Sequence, residues 1–236
     1  MTQGTHSSAQ VVAMHGWAGD SRGWRPWIEA TAALGWNWQC GERGYGTLEP
    51  RIPSWPENTP PDALRLVIGH SLGPHLVAPE VLHQADAVVL LASFATFVPP
   101  DRAGRRVRAG LDGMAAKLGS ECEAREVLQK FLANAADPQP PGLRPPGPAD
   151  GPLHLERLRG DLGILRECRG LPAGFPSGAR VLIVEAESDR IVEAAARDML
   201  KADLPQADVI SLAGTGHALL QADIVSRVTA RVESWR

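Results

Sequence analysis

Residues Leu64–Leu76 read LRLVIGHSLGPHL. The stretch opens with an apolar run, Leu64–Ile68, of the kind that forms a buried strand. A tight turn follows, Gly69-His70-Ser71-Leu72-Gly73, and then an apolar helical pattern that extends to about His83. G-x-S-x-G between a strand and a helix is the pattern of a nucleophile elbow. The spacing has a steric reason. So sharp a turn strains the serine backbone and brings strand and helix close together, and glycines at 69 and 73 remove the Cβ atoms that would collide. The turn lifts the Ser71 hydroxyl clear at the helix N-terminus, where free N–H groups and the helix dipole favour negative charge. The pentapeptide alone is a weak signal, and the strand before it and helix after it make it a specific one.

Outward from the elbow, strand and helix patterns alternate. On the N-terminal side lie a strand at Val11–Met14 and the turn His15-Gly16-Trp17-Ala18-Gly19-Asp20. A helix follows at Gly23–Ala33, with Trp24, Trp27 and Ile28 on one face, and then a strand at Trp36–Cys40. Gly41–Pro61 carries Pro50, Pro53, Pro56, Pro60 and Pro61, which forbid a long helix. On the C-terminal side a buried strand, Ala87–Leu91, precedes a stretch without strand patterns. Helices are expected there at Arg105–Leu118, Glu121–Ala135 and Leu153–Cys168, the last with Leu155, Leu158, Leu162 and Leu165 on one face. A proline-rich loop, Asp137–Pro152, separates the second helix from the third. Alternation resumes with a strand at Arg180–Val184, an acidic turn at Glu185–Asp189 and a helix at Glu193–Leu204. A strand at Asp208–Leu212, the turn Gly214–His217 and a helix at Ala218–Trp235 complete it. The expected fold is α/β: a mostly parallel sheet with helices on both faces. Residues 1–96 and 170–236 form its core, and 97–169 form a helical cap over the sheet's C-terminal edge, where open α/β folds bind ligands.

The composition excludes several classes. The chain has 236 residues, room for one α/β domain with a sizeable core, and a formal net charge of −3, which argues against a general nucleic-acid binder. There is no apolar run long enough to span a membrane, and the polar start MTQGTHSSAQ lacks the pattern of a signal peptide. Cys40, Cys122 and Cys168 are odd in number and far apart, which fits neither a disulfide framework nor a metal knuckle, so a reducing cytoplasm is expected. The expected protein is a monomer that uses no cofactor and no metal.

A serine hydroxyl needs a base at neutral pH. Of the seven histidines, His217 stands out in a glycine-bounded turn after the last strand. His70 is expected to face another way on the elbow, and His75 to lie a turn into the helix. The base needs a carboxylate to fix its tautomer. Asp189 follows the penultimate strand and precedes Ile191-Val192, which can anchor its loop, and Glu187 is its competitor. The order Ser71, Asp189, His217 is that of the elbow hydrolases. The oxyanion needs two N–H donors: Leu72, after the nucleophile, and Trp17, in the loop after the first strand. The Trp17 indole would also line the pocket.

The elbow, the His15-Gly16 loop, Asp189 and His217 together resemble the α/β-hydrolase superfamily across essentially the whole chain. A narrower likeness is to the pimeloyl-acyl carrier protein methyl ester carboxylesterases of biotin synthesis. It rests on His15-Gly16-Trp17 with Trp24, on Ala92-Ser93 leading to Phe97, on Phe131-Leu132-Ala133 and on Leu158–Leu165 (LRGDLGIL). The resemblance implies hydrolysis of the methyl ester of a carrier-bound acyl chain, with Phe97 and Phe131 joining Trp17 against the substrate. It also implies cap arginines that hold the acidic carrier. Arg102, Arg105, Arg106 and Arg108 cluster at the cap's start, and by spacing the first three share a helix face while Arg108 points elsewhere. Two departures bear on substrate identity: the proline-rich 41–61 stretch in place of a fuller helix, and Pro74 where a small residue usually stands. Two alternatives remain open, a carboxylesterase or thioesterase for small free acyl substrates and a non-catalytic binding protein of the same fold.

Overall fold

The computed structural model describes residues 9–140, 145–148, 151–220 and 223–236. The six strands are β1 (Ala9–Met14), β2 (Asn37–Cys40), β3 (Leu64–His70), β4 (Ala87–Leu91), β5 (Arg180–Ala186) and β6 (Asp208–Leu212). They form one sheet in the order β2-β1-β3-β4-β5-β6, and every pairing is parallel. The chain leaves β1 toward β2 and returns on the far side of β1 to start β3. The carboxyl ends of β1 and β3 therefore flank the point where the winding reverses, and open sheets of this kind form a ligand crevice there.

The strands sort their side chains by the two-residue period. Val11, Ala13, Leu66, Ile68 and Val89 are buried on one face with Trp24, Trp27 and Trp36 and with Val228 and Val232 of α8 (Ile224–Glu233). Val12, Val67, Val88, Leu90 and Ile183 are buried on the other, against Val81 and Leu82 of α3 (Pro79–His83) and Leu200 of α7 (Ala194–Asp203). Burying each such Leu, Ile or Val contributes about 1.5–3 kcal/mol. A third cluster joins Trp17, Tyr45, Leu72 and Phe97 to the helices between β4 and β5. Those helices are α4 (Arg102–Lys117), α5 (Glu121–Ala136) and α6 (Leu155–Glu167). Asp101 caps α4 through the Gly104 N–H, and Ser120 caps α5 through the Glu123 N–H. On α6, Leu158, Leu162 and Leu165 are buried as their spacing implies.

Three helices differ from expectation. The helix after the elbow is split into α2 (Gly73–Leu76) and α3, because Pro79 holds Ala78 extended at ψ 135° and Val77 is extended too, at ψ 137°. The helix after Trp24 is α1 (Arg25–Thr31) between two short 3-10 turns, and Ile28 is 39% exposed while Trp24 and Trp27 are buried. The closing helix begins at Ile224 and not at Ala218, since Leu219 sits at φ 51°. The Gly41–Pro61 stretch has no helix among the described residues and is pinned by an antiparallel bridge between Glu42 and Arg51. The Asp137–Pro152 loop falls partly outside the described residues, and so does the start of the chain.

Candidate active site

Ser71 opens the turn after β3 at φ 55°, a left-handed conformation that costs a non-glycine residue on the order of 1–3 kcal/mol. The surroundings hold it there. Its N–H donates to the Leu91 carbonyl at 2.8 Å, and its own carbonyl accepts from Ser93 Oγ at 2.7 Å. A Cβ on Gly73 would overlap the Met14 carbonyl, and one on Gly69 would overlap the Pro74 ring. Pro74 thus occupies the space that Gly69 leaves. A Cβ on Gly16 would come within 2.8 Å of Ser71 Cβ, so the loop after β1 lies directly against the serine. Neither the Trp17 nor the Leu72 backbone N–H has a protein acceptor among the described residues. Because α2 is a single turn, negative charge beside Ser71 would rely on such local N–H groups more than on a helix dipole.

Asp189 and His217 are paired and buried. His217 Nδ1–H donates to Asp189 Oδ2 at 2.8 Å, which leaves Nε2 as the ring's free acceptor. Asp189 Oδ1 accepts the Ile191 and Val192 N–H groups at 2.7 and 2.9 Å, so the two apolar residues do anchor the loop. Burial alone would raise the Asp189 pKa, but the His217 imidazole and these N–H groups outweigh it and hold the carboxyl below its usual value. Glu187 is exposed in the same turn and does not meet His217. The His217 loop docks on the end of α5: Ala218 N–H donates to the Ala135 carbonyl at 2.8 Å, and a Cβ on Gly216 would overlap the Asp137 carbonyl.

Ser71 opens into a cavity of about 210 Å³ lined by Trp17, Phe97, Phe131, Leu111, Met114 and Leu162, with Arg106, Arg190 and Glu193 as its charged members. All three expected substrate contacts are therefore in the serine's own cavity. His217 lines a neighbouring cavity of about 120 Å³ together with His15. Trp17 and Phe131 border both, as an edge-to-face pair 4.8 Å apart. Ser71 Oγ and His217 are not hydrogen-bonded to each other in this arrangement of the described residues. The expected arginine face is redistributed. Arg106 lines the Ser71 cavity and bonds Glu193 at 2.7 Å, whereas Arg105 and Arg108 share a different cavity. Arg102 lines neither.

Two features escaped the sequence reading. His70 does not face away: its Nε2–H donates to the His217 carbonyl at 2.9 Å, and the two rings lie 5.0 Å apart. Burial, and then the neighbouring His217, lower its pKa to about 4. The second is a buried polar network. Asp161 of α6 accepts from Arg43 Nε and Nη2 at 2.8 and 2.6 Å and from the Tyr45 hydroxyl at 2.5 Å. The Arg43 N–H donates to His15 Nε2 at 3.1 Å, and Glu42 accepts the Ser21 and Gly44 N–H groups at 2.8 and 2.7 Å. Burial opposes the Glu42 charge, yet its hydrogen-bonded surroundings, those two N–H groups included, bring its pKa down to about 2. The one available signal was Tyr45, the chain's sole tyrosine, between two glycines in a proline-rich loop.

Among the described residues no group of three or more His, Cys, Asp or Glu side chains could hold a metal ion. Cys40, Cys122 and Cys168 are unpaired. Among those residues no helix is long and apolar enough to cross a membrane.

No family model matches the chain, and no curated protein matches it. Solved structures do. An esterase from Exiguobacterium antarcticum superposes with a TM-score of 0.70 at 15% identity, covering 97% of this chain and 92% of that one. MGS-M2, an alpha/beta hydrolase enzyme from a Medee basin deep-sea metagenome library, gives 0.62 at 14% identity, with 100% and 91% covered. The bottromycin epimerase BotH gives 0.60 at 15%, with 96% and 90% covered. The chain therefore has the α/β-hydrolase fold. The epimerase among these neighbours shows that the fold alone does not fix the reaction.

Proposed function

We propose that this protein is a serine carboxylesterase that works through an acyl-enzyme. The observation that carries the reading is the strained Ser71, lining a cavity that shares Trp17 and Phe131 with the one lined by His217, whose ring is paired with the buried Asp189 carboxylate. Ser71 attacks the ester carbonyl. His217 Nε2 takes its proton and returns it to the leaving alcohol, and Asp189 holds the tautomer and stabilises the imidazolium. The Trp17 and Leu72 N–H groups receive the oxyanion. The Ser71–His217 hydrogen bond forms when substrate enters, since such bonds are often long or absent in empty sites and tighten in the complex. Residues 97–169 act as the cap of a core formed by 1–96 and 170–236, and Trp17, Phe97 and Phe131 hold the acyl chain.

The favoured substrate is the methyl ester of an acyl chain on acyl carrier protein, as in pimeloyl-carrier hydrolysis during cytoplasmic biotin synthesis. An acidic carrier would meet Arg102, Arg105 and Arg106 at the exposed start of α4. The modest size of the cavity, about 210 Å³, also favours a second reading, a carboxylesterase or thioesterase for short free acyl substrates.

The experiment is labelling with a fluorophosphonate, followed by turnover of matched methyl esters on carrier and free. The wild type should label and Ser71→Ala should not, with a loss of about 10⁴ to 10⁶ in kcat. An unlabelled wild type would make the chain a non-catalytic binding protein of this fold. A kcat/KM for the carrier-bound ester no better than that for the free one would select the short-substrate reading.

A further inference from the structure

α4 separates two cavities, and the arginines of its first turns are divided between them. Arg106, Leu111 and Met114 face the Ser71 cavity. Arg105 and Arg108 face another, of about 370 Å³, which Arg169 also lines from just beyond α6. This second cavity holds three guanidinium groups and one carboxylate, Asp101, whose Oδ1 is engaged by the Gly104 N–H at 3.2 Å. Arg105 and Arg108 have no carboxylate partner among the described residues. Arg169 Nη1 donates to the Arg166 and Cys168 carbonyls at 3.0 and 2.7 Å, which fixes the group without neutralising it. Acidic side chains do stand nearby, but they serve other cations: Glu193 bonds Arg106 and Asp112 pairs with Arg166.

Three like charges around one concavity repel each other until an anion enters. The planar fork of arginine matches phosphate oxygens two at a time. The remaining wall is mostly apolar, from Val98, Pro99, Pro100 and Met199, with Thr96, whose Oγ1 already accepts the Gly170 N–H at 2.9 Å. Such a wall suits the carbon body attached to a phosphate better than a free, fully hydrated ion. A concave site also suits a small group better than the convex surface of an acidic protein. We infer that the cavity formed by Arg105, Arg108 and Arg169 is a binding site for the phosphate of an organic phosphate ester. The phosphate could belong to the far end of the ester substrate's own carrier arm or to a separate phosphorylated metabolite. The site itself does not depend on the Ser71 reading.

The test is calorimetric titration of the full chain with phosphopantetheine and with pantetheine, which differ only by the phosphate. The phosphorylated member should bind at least about tenfold tighter, as expected for charge-assisted hydrogen bonds. That preference should shrink as salt rises. Arg108→Gln with Arg169→Gln should abolish the preference while the thermal midpoint stays put, and the single Arg169→Gln, at an exposed position, should halve the effect or more. Equal binding of the two compounds overturns the inference, and so does a preference that survives in the double variant. Two further arms separate the sources. If S-acetyl phosphopantetheine is hydrolysed with a higher kcat/KM than S-acetyl pantetheine, and only in the wild type, the phosphate is the substrate's own. If the preference appears in binding and not in turnover, it belongs to a separate ligand. Binding without hydrolysis of either compound leaves this site standing and counts against the Ser71 mechanism alone.

Discussion

At the sheet edge the contacts that shape the site are backbone on backbone: Gly16 against the His70 carbonyl, Gly73 against the Met14 carbonyl, Gly216 against the Asp137 carbonyl. Apart from that docking at the end of α5, the helices between β4 and β5 are attached largely by side chains. Trp17 Nε1 donates to the Leu158 carbonyl at 2.8 Å, Arg157 Nη1 donates to the Gly44 carbonyl at 2.5 Å, and Asp161 gathers Arg43 and Tyr45. The first kind of contact tolerates no added atom and fixes the turns rigidly. The second is replaceable and adjustable, and it governs what sits over the serine. On the proposed function, chemistry would reside in the part that side-chain changes scarcely move, and substrate choice in the part they can retune.

The sharpest way to break this contrast is at Asp189, the point where the rigid edge relies on side chains. Asp189→Asn should lose about 10⁴ in kcat, because an amide permits the wrong His217 tautomer. Glu187→Gln should change kcat less than about threefold, since surface changes away from a site have small effects. Steady-state kinetics on a common ester decides it, and the reverse pattern would move the acid to Glu187.

The attachment of the helices should fail next. Asp161→Ala leaves the partly exposed Arg43 and the buried Tyr45 without their shared acceptor, a loss of about 2–3 kcal/mol. Tyr45→Phe removes one hydrogen bond and should lose about 1 kcal/mol. Urea unfolding gives both numbers, and an Asp161→Ala chain as stable as Tyr45→Phe would mean that the network does not hold α6.

The same contrast explains what the sequence disclosed. Glycines at 16, 69, 73 and 216 mark close backbone approach, so the elbow, the Trp17 loop and the His217 turn were readable, and the six strands followed from their apolar runs. Asp189 was readable because Ile191-Val192 follow it. The split of the elbow helix was signalled by Pro79 and overlooked, because the apolar pattern runs on past it. The Arg105–Arg108 pairing was not readable: both faces of α4 are lined, and spacing alone does not say which face meets which cavity. The Asp161 network joins positions more than a hundred residues apart through charged side chains, and such residues ordinarily read as surface.

The smallest effect expected comes from His70, which ties the elbow to the base loop through the His217 carbonyl. Burial first, and then His217, bring its pKa from 6.5 to about 4. The unfolded chain therefore binds this proton more readily between those two values. The contribution is fully present above pH 6.5 and is lost as pH falls through about 4. Asp189 and Glu42 are depressed as well, but their losses fall below their ordinary carboxylate values, near pH 4, and so lie under the upper part of this window. His75, stacked on Phe94, is lowered by burial and acts in the same sense, so some slope must remain without His70. His70→Gln keeps an N–H donor for the His217 carbonyl but cannot titrate. Between pH 6.5 and 5 the wild type should lose about 1.5 kcal/mol more than it would without this group, since one bound proton changes stability by about 1.4 kcal/mol per pH unit and the unfolded histidine is half protonated at the upper end. Urea midpoints at those two pH values should show a clearly flatter slope for His70→Gln. If the slopes coincide, His70 is already solvated in the folded protein, and the close contact between the elbow and the His217 loop opens in solution.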